Sequence, residues 1–243
     1  MNKENERIAL VTGATDGIGK EVARQLCLQD IKVVIGARNV EKGRGVAAEF
    51  RRDGLEIDIV QLDVTVQETV QRAAEELESR YGRLDILVNN AGIALDRGPW
   101  STAPFEDVIA TYETNLFGMI RVTQAFLPLL RRSAHGRIVN VSSSLASFAG
   151  MTDEKSPYYN VLLPVYASSK AAINVLTVHL ARELEGTGIK VNAVEPGLTA
   201  TRAVKIPGAQ PVEVGAEAPV HYALIDDDGP TGQFFDRFGT YKW

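Results

Sequence analysis

Apolar positions along the chain fall into two alternating patterns. Short, nearly continuous Val- and Ile-rich runs predict buried strands at Ile8–Val11, Lys32–Ala37, Ile57–Gln61, Ile86–Asn89, Arg137–Val141 and Lys190–Glu195, because a strand covered on both faces has no polar side to present. Between them the apolar residues recur at helical spacing. Ile18, Val22 and Leu26 fall at i, i+4 and i+8, and Val66, Val70, Ala73, Ala74 and Leu77 keep a comparable period, so both segments read as amphipathic crossover helices. Phe105–Arg132 and Val165–Leu184 are the two longest helix candidates. Alternation of this kind implies βαβ units, and hence an α/β fold with a doubly wound, mainly parallel sheet flanked by helices on both faces.

No Pro/Ser-rich linker, internal repeat or low-complexity tract interrupts the sequence, so residues 1–243 read as a single domain. Two segments, 148–165 and 196–218, break the alternation with Pro, Gly and small residues, and each follows a strand. Loops at the carboxyl ends of parallel strands border the ligand crevice of such sheets, so these two are expected to shape a substrate pocket.

Composition narrows the function classes. With 243 residues and 45% hydrophobic content the chain can bury a sizeable core. A formal net charge of −5 and the lack of any Lys/Arg-rich run argue against a nucleic-acid partner. A small anionic cofactor needs only one or two local cations and is compatible with that balance. The leader Met1-Asn2-Lys3-Glu4-Asn5-Glu6 is polar, with no apolar stretch long enough for a signal peptide or a membrane span, so no membrane partner is expected and the cytoplasm is the default location. Cys27 is the only cysteine, which excludes an intrachain disulfide. His135, His179 and His221 lie far apart without metal-ligand spacing, so no metal is expected.

The first candidate chemistry lies at the amino end. Gly13, Gly17 and Gly19 follow the first strand directly and open a helix near Ile18, the context of a dinucleotide-binding turn. Without Cβ atoms the turn is expected to let a diphosphate approach the backbone, and the helix N-terminus supplies amide donors. A triphosphate loop fails on residues, since it would need Gly at Ala14 and Ser or Thr at Glu21. At the end of the second strand, Arg38 stands where an acid would accept hydrogen bonds from a ribose. A guanidinium pairs with a 2′-phosphate, so NADPH is favoured over NADH, although Asp16 places a negative charge near the same phosphate. Asp63 is placed either to accept from an adenine amine or to cap the helix beginning near Val66. Asn90, Ala91 and Gly92 end the fourth strand with small residues against which a cofactor can lie flat.

The second lies in Tyr166-Ala167-Ser168-Ser169-Lys170, where a phenol and an ammonium stand one helical turn apart. An adjacent cation favours phenolate and is expected to lower the phenol's pKa.

Read in order, Thr12-Gly-x-x-x-Gly-x-Gly19, Asn89-Asn-Ala-Gly92, Asn115, Ser143, Tyr166-x-x-x-Lys170 and Pro196-Gly197 resemble the short-chain dehydrogenase/reductase family over nearly the whole chain. Ala37-Arg38-Asn39, Lys42-Gly43, Gln61-Leu62-Asp63-Val64-Thr65 and the segments Gly215–Val220 and Gly229–Phe235 look most like its NADPH-dependent carbonyl reductases and their plant ketone-reductase relatives. The resemblance implies a Rossmann-type domain in which Tyr166 protonates a carbonyl oxygen as hydride arrives. It further implies that Lys170 lowers the Tyr166 pKa and holds the nicotinamide ribose, that Ser143 stabilises charge on the substrate oxygen, and that Asn115 keeps a water in a proton relay. Ser143 is taken from three consecutive serines because Asn140-Val141-Ser142-Ser143 matches the family pattern, which leaves Ser142 and Ser144 to satisfy backbone groups. Cofactor contacts are implied at Thr15, Asp16 and Ile18 of the glycine turn, at Val64 beside Asp63, and at Pro196 and Gly197, with Thr199 and Thr201 near the carboxamide.

One departure from the family stands out: Ser143 and Tyr166 are 23 apart in sequence, more than in many members. The extra residues, among them Met151, Tyr158, Tyr159, Val161, Leu162 and Leu163, either line a pocket for a bulky, poorly charged substrate or pack the loop onto the domain. They also lie beside the family's tetramer contacts, so homo-oligomer and monomer both remain open. The expected function is NADPH-dependent reduction of an aldehyde or ketone to an alcohol, with a small molecule as partner. An NAD-dependent alcohol dehydrogenase and a non-catalytic NADP-binding regulatory protein stay as alternatives. An epimerase or dehydratase is disfavoured by the short segment after Glu195.

Overall fold

In the computed structural model, the described residues are 6–96, 98–202 and 204–243; Met1–Asn5 of the polar leader, Arg97, and Ala203 of the second loop lie outside them. They form one sheet of eight strands in the order β3-β2-β1-β4-β5-β6-β7-β8. Six strands fall where the Val/Ile runs predict: β1 Ile8–Thr12, β2 Lys32–Ala37, β3 Ile57–Gln61, β4 Ile86–Asn89, β5 Arg137–Val141 and β6 Lys190–Val194. All six pair in parallel. Two further strands close the carboxyl edge. β7 Phe234–Asp236 runs parallel to β6, and β8 Gly239–Thr240 folds back on β7 antiparallel.

Alternate residues of each strand feed opposite faces. Ala9 and Val11 of β1 pack with Val22 and Leu26 of α1 (Gly17–Cys27), Phe50 of α2 (Val40–Arg52) and Tyr222 of α9 (Glu217–Ala223). Ile8 and Leu10 pack with Leu77 of α3 (Gln67–Tyr81), Phe126 of α5 (Gly118–Leu130) and Ala181 of α7 (Pro164–Glu183). Two apolar cores, one on each face, thus account for the continuous apolar character of the strands.

The run 105–132 is a single helical path with a change of pitch. α4 (Phe105–Tyr112) passes through one π-helical turn at Glu113–Phe117 before α5 begins. The two segments read as loops carry short helices of their own, α6 (Phe148–Thr152) in the first, and α8 (Val212–Gly215) with the start of α9 in the second. β1 pairs with β2 on one side and β4 on the other, so the strand order reverses between β1 and β4. The carboxyl ends of β1 and β4 therefore form the switch point at which open α/β sheets bind their ligands. Among the described residues no helix is long and apolar enough to cross a membrane, and no group of three His, Cys, Asp or Glu side chains stands close enough to hold a metal ion.

Candidate active site

The glycine turn and the end of β4 are built as one unit. The Thr12 hydroxyl oxygen accepts from the amides of Asn90 at 3.0 Å and Ala91 at 3.1 Å, while the Asn90 amide nitrogen donates to the carbonyls of Thr12 at 2.9 Å and Gly13 at 3.2 Å. This contact explains two of the glycines differently from the sequence expectation. A Cβ on Gly13 would meet Ala91 Cα at 2.9 Å, and one on Gly19 would strike the Gly13 carbonyl at 2.7 Å as well as the Asn90 side chain. Both therefore permit the turn to close on β4 and on α1. Gly17 is required by its backbone, at φ +55°, a region that side chains disfavour.

Asp16 caps α1, its carboxylate accepting from the Gly17 amide at 2.8 Å. The amides of Ile18 and Gly19 in the same first turn have no carbonyl one turn back, as at any helix start. Thr15 is half-buried beside them. At the end of β2, Arg38 is exposed, and Asn39 caps α2 by accepting from the Lys42 amide at 3.0 Å. Asp63 forms a local turn, with Oδ1 accepting from the Thr65 amide at 3.0 Å and hydroxyl at 2.7 Å. It does not cap α3, whose N-cap is Val66 without a side-chain bond. Val64 is buried against Gly118.

Tyr166 and Lys170 lie in the first two turns of α7. The helix is held on the sheet by a buried chain in which Asn89 donates to Asn140 Oδ1 at 2.9 Å and Asn140 donates to the Thr177 hydroxyl at 2.9 Å. Lys170 Nζ donates to the Val141 carbonyl at 2.7 Å and lies 5.6 Å from the centroid of the Tyr166 ring. A Cβ on Gly92 would lie 3.3 Å from the same Nζ and 3.4 Å from Asn115 Oδ1, so the end of β4, Lys170 and Asn115 meet at one point. Asn115 sits in the π turn. Its amide group donates to the Ile93 carbonyl at 2.9 Å and the Ser169 hydroxyl at 3.0 Å, and accepts from the Ile93 amide at 2.8 Å. Single π turns of this kind recur at functional sites.

The three serines differ in their surroundings, and Ser143 caps the short turn that follows it, its hydroxyl oxygen accepting from the Leu145 amide at 3.2 Å. Ser142 is buried with its hydroxyl toward the Lys170 carbonyl at 3.4 Å, Ser144 is buried beside Glu195, and Ser143 alone is partly open. Burial pushes the Tyr166 phenol above its ordinary range; a hydrogen bond with the Ser143 side chain draws it back, and the charge of Glu195 raises it again. The lowering expected from Lys170 is not found: the phenol is shifted by burial first, then by Ser143 and Glu195. Burial also pulls the Lys170 ammonium itself down to about 8.

The segment after β6 completes the crevice. Gly197 adopts φ +77° and turns the chain after Pro196. Thr199 is buried, its hydroxyl donating toward the Pro196 and Gly197 carbonyls at 3.2 and 3.0 Å, so it fixes this turn from within. Thr201 faces the glycine turn, 3.3 Å from where a Cβ on Gly17 would stand.

Glu195 was legible only as a strand end. In the structure its buried carboxylate accepts from the Gly197 amide at 2.9 Å and hydrogen-bonds Ser144, bridging the serine turn to the Pro196-Gly197 turn. Burial raises its pKa, those hydrogen bonds offset part of the shift, and Asp236 of β7 adds to it. A Glu before a Pro-Gly turn is the one signal in the sequence that could have marked it. Gln210 is likewise built in, donating to the Pro196 carbonyl at 2.5 Å.

With this geometry in place, residues 7–210 match the short chain dehydrogenase family. The chain belongs to that family. This short-chain dehydrogenase is 32% identical to the carbonyl reductase [NADPH] 3 of Rattus norvegicus, with 98% of each chain covered. It is 32% identical to the (+)-neomenthol dehydrogenase of Arabidopsis thaliana, again over 98% of each. The solved structure of salutaridine reductase from Papaver somniferum superposes with a TM-score of 0.82 at 30% identity, covering 95% of this chain and 99% of that one. As a short-chain dehydrogenase it is an oxidoreductase of carbonyl and alcohol groups.

Proposed function

We propose that this short-chain dehydrogenase reduces an aldehyde or ketone to the alcohol with NADPH, without a metal or a covalent intermediate. The observation that carries the reading is the meeting of Ser143, Tyr166 and Lys170 with Gly92 and Asn115 beside the glycine turn. Hydride donation is the chemistry that the nicotinamide supplies when bound. The first-turn amides of Ile18 and Gly19 suit its diphosphate, as helix N-termini suit anions generally. Arg38 would pair with a 2′-phosphate, and Asp63 and Val64 would take the adenine end. Asn90, Ala91, Gly92, Pro196, Gly197 and Thr201 would line the nicotinamide end, and Lys170 would hold the ribose hydroxyls.

The chain's own part is the proton and the oxygen. Ser143 donates a hydrogen bond to the substrate carbonyl oxygen and stabilises the charge that develops there. Tyr166 gives its phenolic proton to that oxygen. The phenol is protonated at neutral pH, and burial raises its pKa further, so the proton is in place for transfer to the carbonyl oxygen. Lys170 and Asn115 sit behind the phenol as the path by which the proton is replaced. The carbonyl reductase named above carries NADPH in its name, which supports the same cofactor here. Exposed Phe148, Leu162 and Leu198 on the two substrate segments support an apolar substrate.

The test is loss of absorbance at the reduced-nicotinamide band when the protein is offered NADPH and a panel of aromatic, alicyclic and linear ketones. Turnover of at least one class is expected. Binding of NADPH with no oxidation across the panel contradicts the reading and favours a regulatory nucleotide-binding protein.

A further inference from the structure

The first turn of α7 carries Tyr166 yet has no cap of its own. Leu163 occupies the N-cap position with no side-chain acceptor, and Pro164 has no N–H. Helix geometry leaves the next two amides, those of Val165 and Tyr166, without a carbonyl one turn back. The Ala167 amide is the first to find one, in Leu163 at 2.8 Å.

Asp96 takes both open amides. Its Oδ1 accepts from Val165 N at 2.8 Å and its Oδ2 from Tyr166 N at 3.1 Å, across 69 and 70 residues of sequence. Each carboxylate oxygen thus has one donor, and the negative charge lies at the positive end of a 20-residue helix. Asp96 belongs to the segment that leaves β4 through Gly92 and Ile93. Gly92 abuts Lys170 Nζ, and Ile93 is bonded at both its amide and its carbonyl to Asn115. A single stretch of chain therefore grips Asn115 at one end and the backbone of Tyr166 at the other.

We propose that Asp96 is a positioning residue for the Tyr166 hydroxyl, clamping the first turn of α7 to the segment leaving β4. This rests on the reading of Tyr166 as proton donor. Tyr166 stands in the third position of the helix, where a frayed turn displaces the ring directly. A displacement of about 1 Å is enough to lower a rate by roughly 100-fold. A local Ser or Asp at the N-cap would secure the helix equally well, but it would leave the phenol uncoupled from the strand end on which the cofactor lies.

The test compares Asp96→Ala and Asp96→Asn in the full chain. Hydrogen exchange is read at the Val165 and Tyr166 amides against the mid-helix amide of Ile173, together with NADPH affinity by fluorescence and with kcat and KM per NADPH-binding site. Asp96→Ala is expected to speed exchange at the two amides alone and to lower kcat by roughly 10–100-fold, with KM and NADPH affinity close to wild type. Asp96→Asn keeps one acceptor oxygen and is expected to recover part of kcat. Wild-type kcat in Asp96→Ala overturns the proposal, as does a fall in kcat with no change of exchange at the two amides. If Asp96→Ala does not fold, the same two readings on Asp96→Asn decide it. Wild-type turnover in Tyr166→Phe overturns the underlying reading as well, whereas an inactive Tyr166→Phe beside a fully active Asp96→Ala overturns only the clamp.

Discussion

Lys170 lies beneath Tyr166, its ammonium 5.6 Å from the centroid of the ring and donating to the Val141 carbonyl at 2.7 Å. The cation is thus held by the end of β5, below the aromatic face. Its burial has a consequence for stability as well as for chemistry.

Because burial brings Lys170 down to about 8 from an ordinary 10.5, the unfolded chain binds a proton that the folded chain releases between those values. Folding stability from this residue is therefore lowest below about pH 8 and recovers as pH rises toward 10.5. The difference is on the order of 3 kcal/mol. Lys170→Met lacks the penalty. Thermal melts of the two proteins should show the variant ahead at pH 7, with the gap closing by pH 10; a gap that stays constant across that range contradicts the assigned shift.

Glu195 is expected to tune Tyr166. Its charge raises the phenol, and its carboxylate is tied to Ser144 and Gly197 and faces Asp236 and Tyr241. Glu195→Gln keeps the shape and removes the charge, so the phenol should ionise at lower pH. Since reduction uses the protonated phenol, the basic limb of the kcat profile should move toward lower pH. A limb that stays in place, or moves upward, shows that the two groups are uncoupled.

Arg38→Ala should weaken NADPH by roughly 10–100-fold, the range of one lost charge-assisted hydrogen bond, while leaving NADH nearly unaffected. Titrations of both cofactors by fluorescence check this. Equal weakening of the two would place the guanidinium away from the 2′-phosphate.

What the sequence made legible follows the same physics. The six long strands announce themselves because both faces are covered, so Val33-Val34-Ile35, Leu87-Val88 and Ile138-Val139 are continuous buried apolar runs. β7 and β8 span three and two residues, too few for any period to register, and Phe234 is held by stacking on Trp243 at 5.5 Å from the far end of the chain. α2 is masked by Gly43 and Gly45 among charged residues, although Val46 and Phe50 do face the core. Tyr166, Lys170 and Asn90 carry local motifs and could be read. Asp96 has no such motif, and Glu195 only the Pro-Gly turn that follows it, since Asp96 bonds α7 and Glu195 bonds Ser144 only once distant segments meet. The glycine pattern signals a nucleotide turn, but it does not show that Gly13 and Gly19 also make room for the chain itself.

The reading of the site depends most on the Tyr166 hydroxyl, and Tyr166→Phe tests it directly by removing one oxygen and nothing else. With a carbonyl substrate from the responsive class, kcat should fall by roughly 100-fold or more while NADPH affinity stays close to wild type. Wild-type kcat in Tyr166→Phe would contradict the account.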